Sequence, residues 1–189
     1  MEKDIGRYRE ELVSGLTGEI LEVGCGNGMN FSHYGANAVV SAMEPEPFLR
    51  EKATEAARSA SADITVVEGT AESLPFEDAS FGTVVACLVL CSVGDQAASL
   101  REVKRVLKPG GSLYYLEHIH SDRPSKARFQ KALDRSRVWP TIAGGCRCGC
   151  DTVNALSADG FEIVDNRPIT IGPAWGHTNP HVIGHATIA

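Results

Sequence analysis

The chain has 189 residues, 24 acidic against 18 basic, for a formal net charge of −6. That length suits one domain, residues 1–189, with a core of its own, and no basic block is present to track a phosphate backbone, so nucleic acid is not an expected partner. Hydrophobic residues make up 43% and charged residues 22%, with no run of 18 apolar positions, which excludes both a disordered chain and a membrane-spanning helix from the expectations.

The opening MEKDIGRYREEL is charged and lacks the apolar centre of a secretory signal. Six cysteines in such a chain point to free thiols in a reducing compartment, the cytoplasm, rather than to a disulfide framework. Residues 4–14 carry Ile5, Tyr8, Leu12 and Val13 at helical spacing and stop at Gly15. This helix, within residues 1–15, is expected to cover a pocket, with Tyr8 a candidate contact. Next comes ILEVGCGNG, residues 20–28, a buried-strand pattern running into three glycines. Glycine tolerates positive φ and leaves backbone bare, and a following helix start offers N–H groups, so Glu22, Gly24, Cys25, Gly26 and Gly28 become candidate cofactor contacts. The spacing is GxGxG rather than GxGxxG, and no GxxxxGK[ST] occurs; an adenosyl ligand without a pyrophosphate fits better than a dinucleotide.

Residues 29–34 read as a short crossover helix and residues 38–43 as a second strand. The strand ends at Glu44, where a doubly wound fold places the acid that grips ribose hydroxyls, and Pro45 follows. A helix over 48–60 and a strand over 64–67 lead to EGTAESLPF, residues 68–76. The apolar run over 80–92 suits a central strand, whose end brings Cys87 and Leu88 to the pocket. A helix carrying Leu100, Val103 and Val106 closes on KPGG, which reads as a stop and turn before a fifth strand over 112–118. Residues 127–139 are expected to be helical and 140–150 a loop; Asp151 caps a helix over 152–158, and strands over 161–167 and 181–188 follow, joined by a loop carrying Trp175 and His177. The alternation gives an α/β sandwich around a mainly parallel sheet.

Four ordered motifs, ILEVGCGNG, Glu44 in AMEP, TAESLPF with SFGTVVA, and REVKRVLKPGG, resemble the Rossmann-like methyltransferases that use S-adenosylmethionine (SAM). CLVLCSV, LREVKRVLKPGGSLYYLEH and the GGC before the last helix are more narrowly similar to the methyltransferase-like 7 family, which methylates small thiols. The resemblance implies a three-layer sandwich of seven strands with the last antiparallel, SAM as cofactor, and a small-molecule acceptor, with residues 120–180 on the acceptor side. That family carries an apolar membrane anchor; no such segment is read in this sequence, so membrane association is not expected. The family often has an adenine-binding acid where Thr70 stands; Thr70 can offer less, which shifts the expectation to the Ala71 N–H and the Glu72 side chain.

Methyl transfer is an in-line displacement in which the protein chiefly positions donor and acceptor. A thiol with a reference pKa of about 8.5 supplies its own thiolate near neutral pH, whereas an O- or N-acceptor needs more help. Glu117, His118 and His177 are the candidates to hold the acceptor or take its proton. A protein that binds SAM without catalysis is the competing class. In GGCRCGC, Cys146, Cys148 and Cys150 lack paired CxxC spacing and a fourth ligand, so no metal is expected there, and an exchanging thiol near the acceptor mouth is second to a plain loop. The sequence is silent on oligomeric state.

Overall fold

The computed structural model describes residues 2–142, 144–173, 176 and 178–188. Strands β1 (Gly18–Val23), β2 (Ala38–Met43), β3 (Asp63–Val67), β4 (Phe81–Cys87), β5 (Leu107–His118), β6 (Glu162–Ile169) and β7 (His181–Thr187) form one sheet in the order β3-β2-β1-β4-β5-β7-β6. The first five are mutually parallel; β7 runs antiparallel to both β5 and β6. This is the seven-stranded, mainly parallel architecture that the resemblance implies.

Side chains alternate across the sheet, so each central strand feeds two cores. Leu21, Val84 and Leu113 face one side, where helix α3 (Gln96–Val106) buries Leu100, Val103 and Val106. Ile20, Val40, Val85 and Leu116 face the other, where helix α1 (Glu2–Val13) buries Tyr8, Leu12 and Val13. Each such aliphatic side chain, fully buried, contributes roughly 1.5–3 kcal/mol. Helix α2 (Pro47–Ala57) begins with Pro47 in its first turn and the Glu46 carboxylate accepting the Leu49 N–H at 2.7 Å. Asp95 caps α3 in the same manner.

Several boundaries differ from the sequence expectation. Residues 29–34 make only a 3₁₀ turn, Phe31–His33, because Phe31 turns inward against Gly28 rather than continuing a helix. β4 stops at Cys87 instead of running to residue 92: Leu88 adopts φ +60, and the next amides leave the ladder. KPGG lies inside β5, which starts at Leu107 and carries a register irregularity opposite Phe81 and Thr83. The expected helix over 127–139 is two helices, α4 (Pro124–Arg135) and α5 (Val138–Ile142), broken at Arg137, whose φ is +58. Helix α6 (Thr152–Ala158) is capped by Asp151 as expected. No described helix is long and apolar enough to cross a membrane.

Candidate functional site

At the carboxyl ends of β1, β2 and β4 lies a cavity of about 400 Å³. Strand order runs outward in opposite directions from β1 and β4, and such a switch point opens a crevice in doubly wound sheets. Gly24 and Gly26 supply its floor from the turn after β1, Met43, Glu44 and Pro45 its flank from the end of β2. Thr70, Ala71 and Glu72 line it from the loop after β3, and Leu88, Val89 and Ser92 from the loop after β4. The glycines serve different ends. A side chain on Gly24 would meet Val89 at 2.7 Å and one on Gly28 would meet Phe31 at 2.7 Å, so those two permit packing; a Cβ on Gly26 would meet nothing within 4 Å, and at φ +59 the missing side chain leaves cavity space.

Acids hold the loops around this space. Glu44, 6% exposed, accepts the Gly26 N–H on Oε2 at 2.9 Å and the Glu46 N–H on Oε1 at 3.0 Å. Each oxygen keeps lone-pair capacity for a further donor. Glu72 Oε1 accepts the Gly94 N–H at 2.8 Å and the Asp95 N–H at 3.3 Å, tying the β3 loop to the start of α3; it is a clasp, not the helix-start charge that its position suggests. Ser73 N–H donates to Thr70 O at 3.1 Å, while the Ala71 N–H has no protein acceptor among the described residues.

Other candidates sit away from the cavity lining. Glu22 is buried behind the glycine turn, where Asn30 Nδ2 donates to Oε1 at 2.9 Å and Tyr34 O–H to Oε2 at 2.8 Å. Burial pushes its carboxyl up to about 7, against the pull of those two bonds and of Arg9. Arg9 Nη1 donates to Asn30 Oδ1 at 2.8 Å and lies 3.2 Å from Cys87 Sγ. Cys25 and Cys87 are thus packing residues beside this network, both buried. Tyr8 packs in the same core with its hydroxyl accepting from Arg7; α1 sits against β5, β7 and the 3₁₀ turn, and none of its described residues lines the cavity.

Glu117 and His118 are likewise not rim residues, because β5 is enclosed between β4 and β7 and its end is buried on both faces. Glu117 is fully buried and accepts the Val89 and Leu90 N–H groups on Oε1, both at 2.9 Å, and the Cys91 N–H on Oε2 at 3.1 Å. It secures the amides released where β4 ends. Burial raises its pKa, and the three amides offset only part of that rise. His118 lies with Nδ1 3.3 Å from Cys91 Sγ and 3.1 Å from Cys146 Sγ, its ring 4.3 Å from that of His181. His177 and Trp175 fall outside the described residues.

Linear reading also missed contributors. Leu49, Val93, Gly94 and Gly144 line the cavity, and nothing local to them signals it, since they arrive through loop packing. A second, polar cavity of about 420 Å³ shares Gly94 and is bounded by Asp95, Asp134, Arg147 and Cys150. Asp134 also receives the Cys148 N–H at 2.9 Å and the Gly149 N–H at 2.8 Å, which orders the cysteine-rich loop.

Residues 21–115 match the family model described as a methyltransferase domain. The chain is 33% identical over 171 residues to thiol S-methyltransferase TMT1A of Homo sapiens, covering 88% of this chain and 69% of that protein. Among solved structures it resembles the [4+2]-cyclase SpnF, with a TM-score of 0.73 at 23% identity over 98% of this chain and 80% of that one. It also resembles a geranyl diphosphate methyltransferase in complex with SAM, with a TM-score of 0.73 at 13% identity over 100% of this chain and 86% of that one. Those two likenesses concern the fold, which hosts a cyclase as readily as a methyltransferase.

Proposed function

Since the chain belongs to the methyltransferase domain family, and within it to the thiol S-methyltransferases, we propose that it transfers a methyl group from SAM to the sulfur of a small thiol. The observation that carries the cofactor half is the pairing of Gly26 with Glu44: an open left-handed glycine beside a buried carboxylate whose oxygens each hold one amide and can accept more. The residues fit the group. A cavity of about 400 Å³ lies within the range of small-molecule sites, Glu44 suits ribose hydroxyls, and Met43, Leu49 and Pro45 offer apolar surface to a base. The Ala71 N–H and Glu72 supply polar contacts at the same wall.

SAM supplies a methyl carbon already activated by sulfonium charge. The chain therefore has to hold the acceptor in line and keep water out, and positioning of that kind can account for roughly 7–11 kcal/mol of a barrier. Glu117 is committed to three backbone amides and is no general base. That suits an acceptor which ionises by itself. Apart from Glu44 and Glu72, the residues lining the cavity carry no charge, which favours a small neutral acceptor over a peptide or RNA. Six free thiols suit a reducing compartment such as the cytoplasm.

Turnover of labelled SAM against a panel of small thiols, phenols and amines is the test. Thiols should be methylated, with a rate that climbs with pH toward the acceptor's own pKa, near 8.5 for an ordinary thiol. Phenols or amines methylated in place of thiols would remove the S-acceptor assignment and leave the methyltransferase; SAM bound without turnover on any acceptor would remove catalysis itself.

A further inference from the structure

Cys91, His118 and Cys146 come from the loop after β4, the end of β5 and the loop before α6, yet their ligand atoms meet in one buried cluster. The two sulfurs are 3.8 Å apart, and Nδ1 of His118 lies 3.3 Å from one and 3.1 Å from the other. From these distances we propose that the three residues bind a soft divalent cation, zinc being the metal of choice, as a Cys₂His centre.

Tetrahedral zinc with Zn–S near 2.3 Å and Zn–N near 2.0 Å places paired sulfurs about 3.8 Å apart and sulfur–nitrogen pairs about 3.5 Å apart. The observed sulfur pair matches and the two nitrogen edges are a few tenths of an ångström shorter. Hydrogen bonding alone satisfies the cluster less well. An imidazole Nδ1 offers one proton or one lone pair and so can serve one of its two sulfur neighbours, whereas a cation at the centre engages all three atoms. Charge also closes. Zinc takes both cysteines as thiolates and the histidine neutral, releasing two protons to solvent, and +2 with two thiolates sums to zero, which a buried site tolerates.

The surroundings hold the ligands in place from outside. The Glu117 carboxylate fixes the Cys91 amide, Arg147 N–H and Nη2 bond Cys91 O at 2.9 Å and Val93 O at 2.7 Å, and His120 N–H bonds Cys150 O at 2.8 Å. Outer bonds of this sort are what orient metal ligands. Among the described residues no fourth ligand atom joins the cluster. Of the three cysteines in the cysteine-rich loop, Cys146 alone contributes its sulfur to the proposed centre.

The whole chain, purified without a polyhistidine tag and desalted, should carry about one zinc per chain by elemental analysis. After chelation and reconstitution with Co²⁺ alone it should show thiolate-to-cobalt charge-transfer bands and the visible bands of tetrahedral cobalt. Cys91→Ser and Cys146→Ser should lose both, while Cys148→Ser, a buried cysteine outside the cluster, should keep them. Absence of stoichiometric metal together with no cobalt spectrum in the parent chain overturns the proposal, whether or not the variants fold. So does a Cys91–Cys146 disulfide in the freshly purified, metal-free protein, or metal retained by both serine variants. SAM titration of the same samples reads the methyltransferase assignment independently.

Discussion

The two halves of the sheet hold their loops by different chemistry. From β1 to β4, carboxylates do it: Glu44 fastens the glycine turn, Glu72 the start of α3, and Glu102 the loop at Leu74, whose N–H it accepts at 2.8 Å. From β5 onward, carboxylates share the task with neutral and soft groups: Glu117 holds the loop after β4 and Asp134 the cysteine-rich loop. Gln130 accepts the Ser121 N–H at 2.8 Å, Asn179 spans Ile171 and Pro173, and Cys91, His118 and Cys146 cluster. A carboxylate that accepts two amides is rigid and charged, which suits a wall facing hydroxyl donors. In the opposite half Glu117 and Asp134 bond loop amides, and neither lines the cavity at Gly26 and Glu44.

The comparison can be broken most severely at Gly26. A Cβ there meets nothing within 4 Å, but a valine must adopt φ +59; strain on the order of 1–2 kcal/mol should leave the fold intact. Gly26→Val should therefore abolish SAM binding in calorimetry while the circular dichroism spectrum stays that of the parent. A folded variant with undiminished affinity would move the cofactor out of this cavity.

Glu44→Ala comes next. Charge-assisted bonds are worth about 1.5–3 kcal/mol each, so losing even one to a ribose hydroxyl should weaken SAM by roughly tenfold or more. Affinity within about twofold of the parent would show that Glu44 merely fastens the turn.

On SAM affinity the smallest effect is expected at Glu22, a carboxylate buried away from the cavity, whose signature is in stability instead. Its folded pKa of about 7 exceeds the ordinary 4.5. A raised acid favours the protonated fold, so its contribution is fully present below about pH 4.5 and is lost as pH rises through about 7. Glu22→Gln stays neutral, with Arg9, Asn30 and Tyr34 still around it. It should match the parent at pH 5 and exceed it at pH 8 by roughly 1–3 kcal/mol in thermal denaturation. Equal pH slopes for the two proteins would mean that Glu22 is ionised within the fold.

The cofactor half was legible because its signals are local. ILEVGCGNG and Glu44 lie on adjacent strand ends, so spacing along the chain translates directly into proximity in the sheet. Leu88 shows where that fails: an apolar run is buried equally as strand or as loop, and nothing in CLVLCSV marks its second residue as left-handed. Glu117 and His118 were legible as important but not as interior, since only the insertion of β7 beside β5 encloses them. The Cys91, His118 and Cys146 cluster was illegible, its members standing 27 and 28 positions apart on three segments.

β7 has a consequence for how the chain comes off the ribosome. It is the last of the seven strands to be made, yet it lies between β5 and β6. Until it arrives, β6 has no partner and β5 presents an unpaired edge bearing Tyr115 and Leu116. Such edges recruit other chains. Pairing at long sequence range is also slow, so the nascent protein passes through an aggregation-prone interval that closes when residues 181–187 insert.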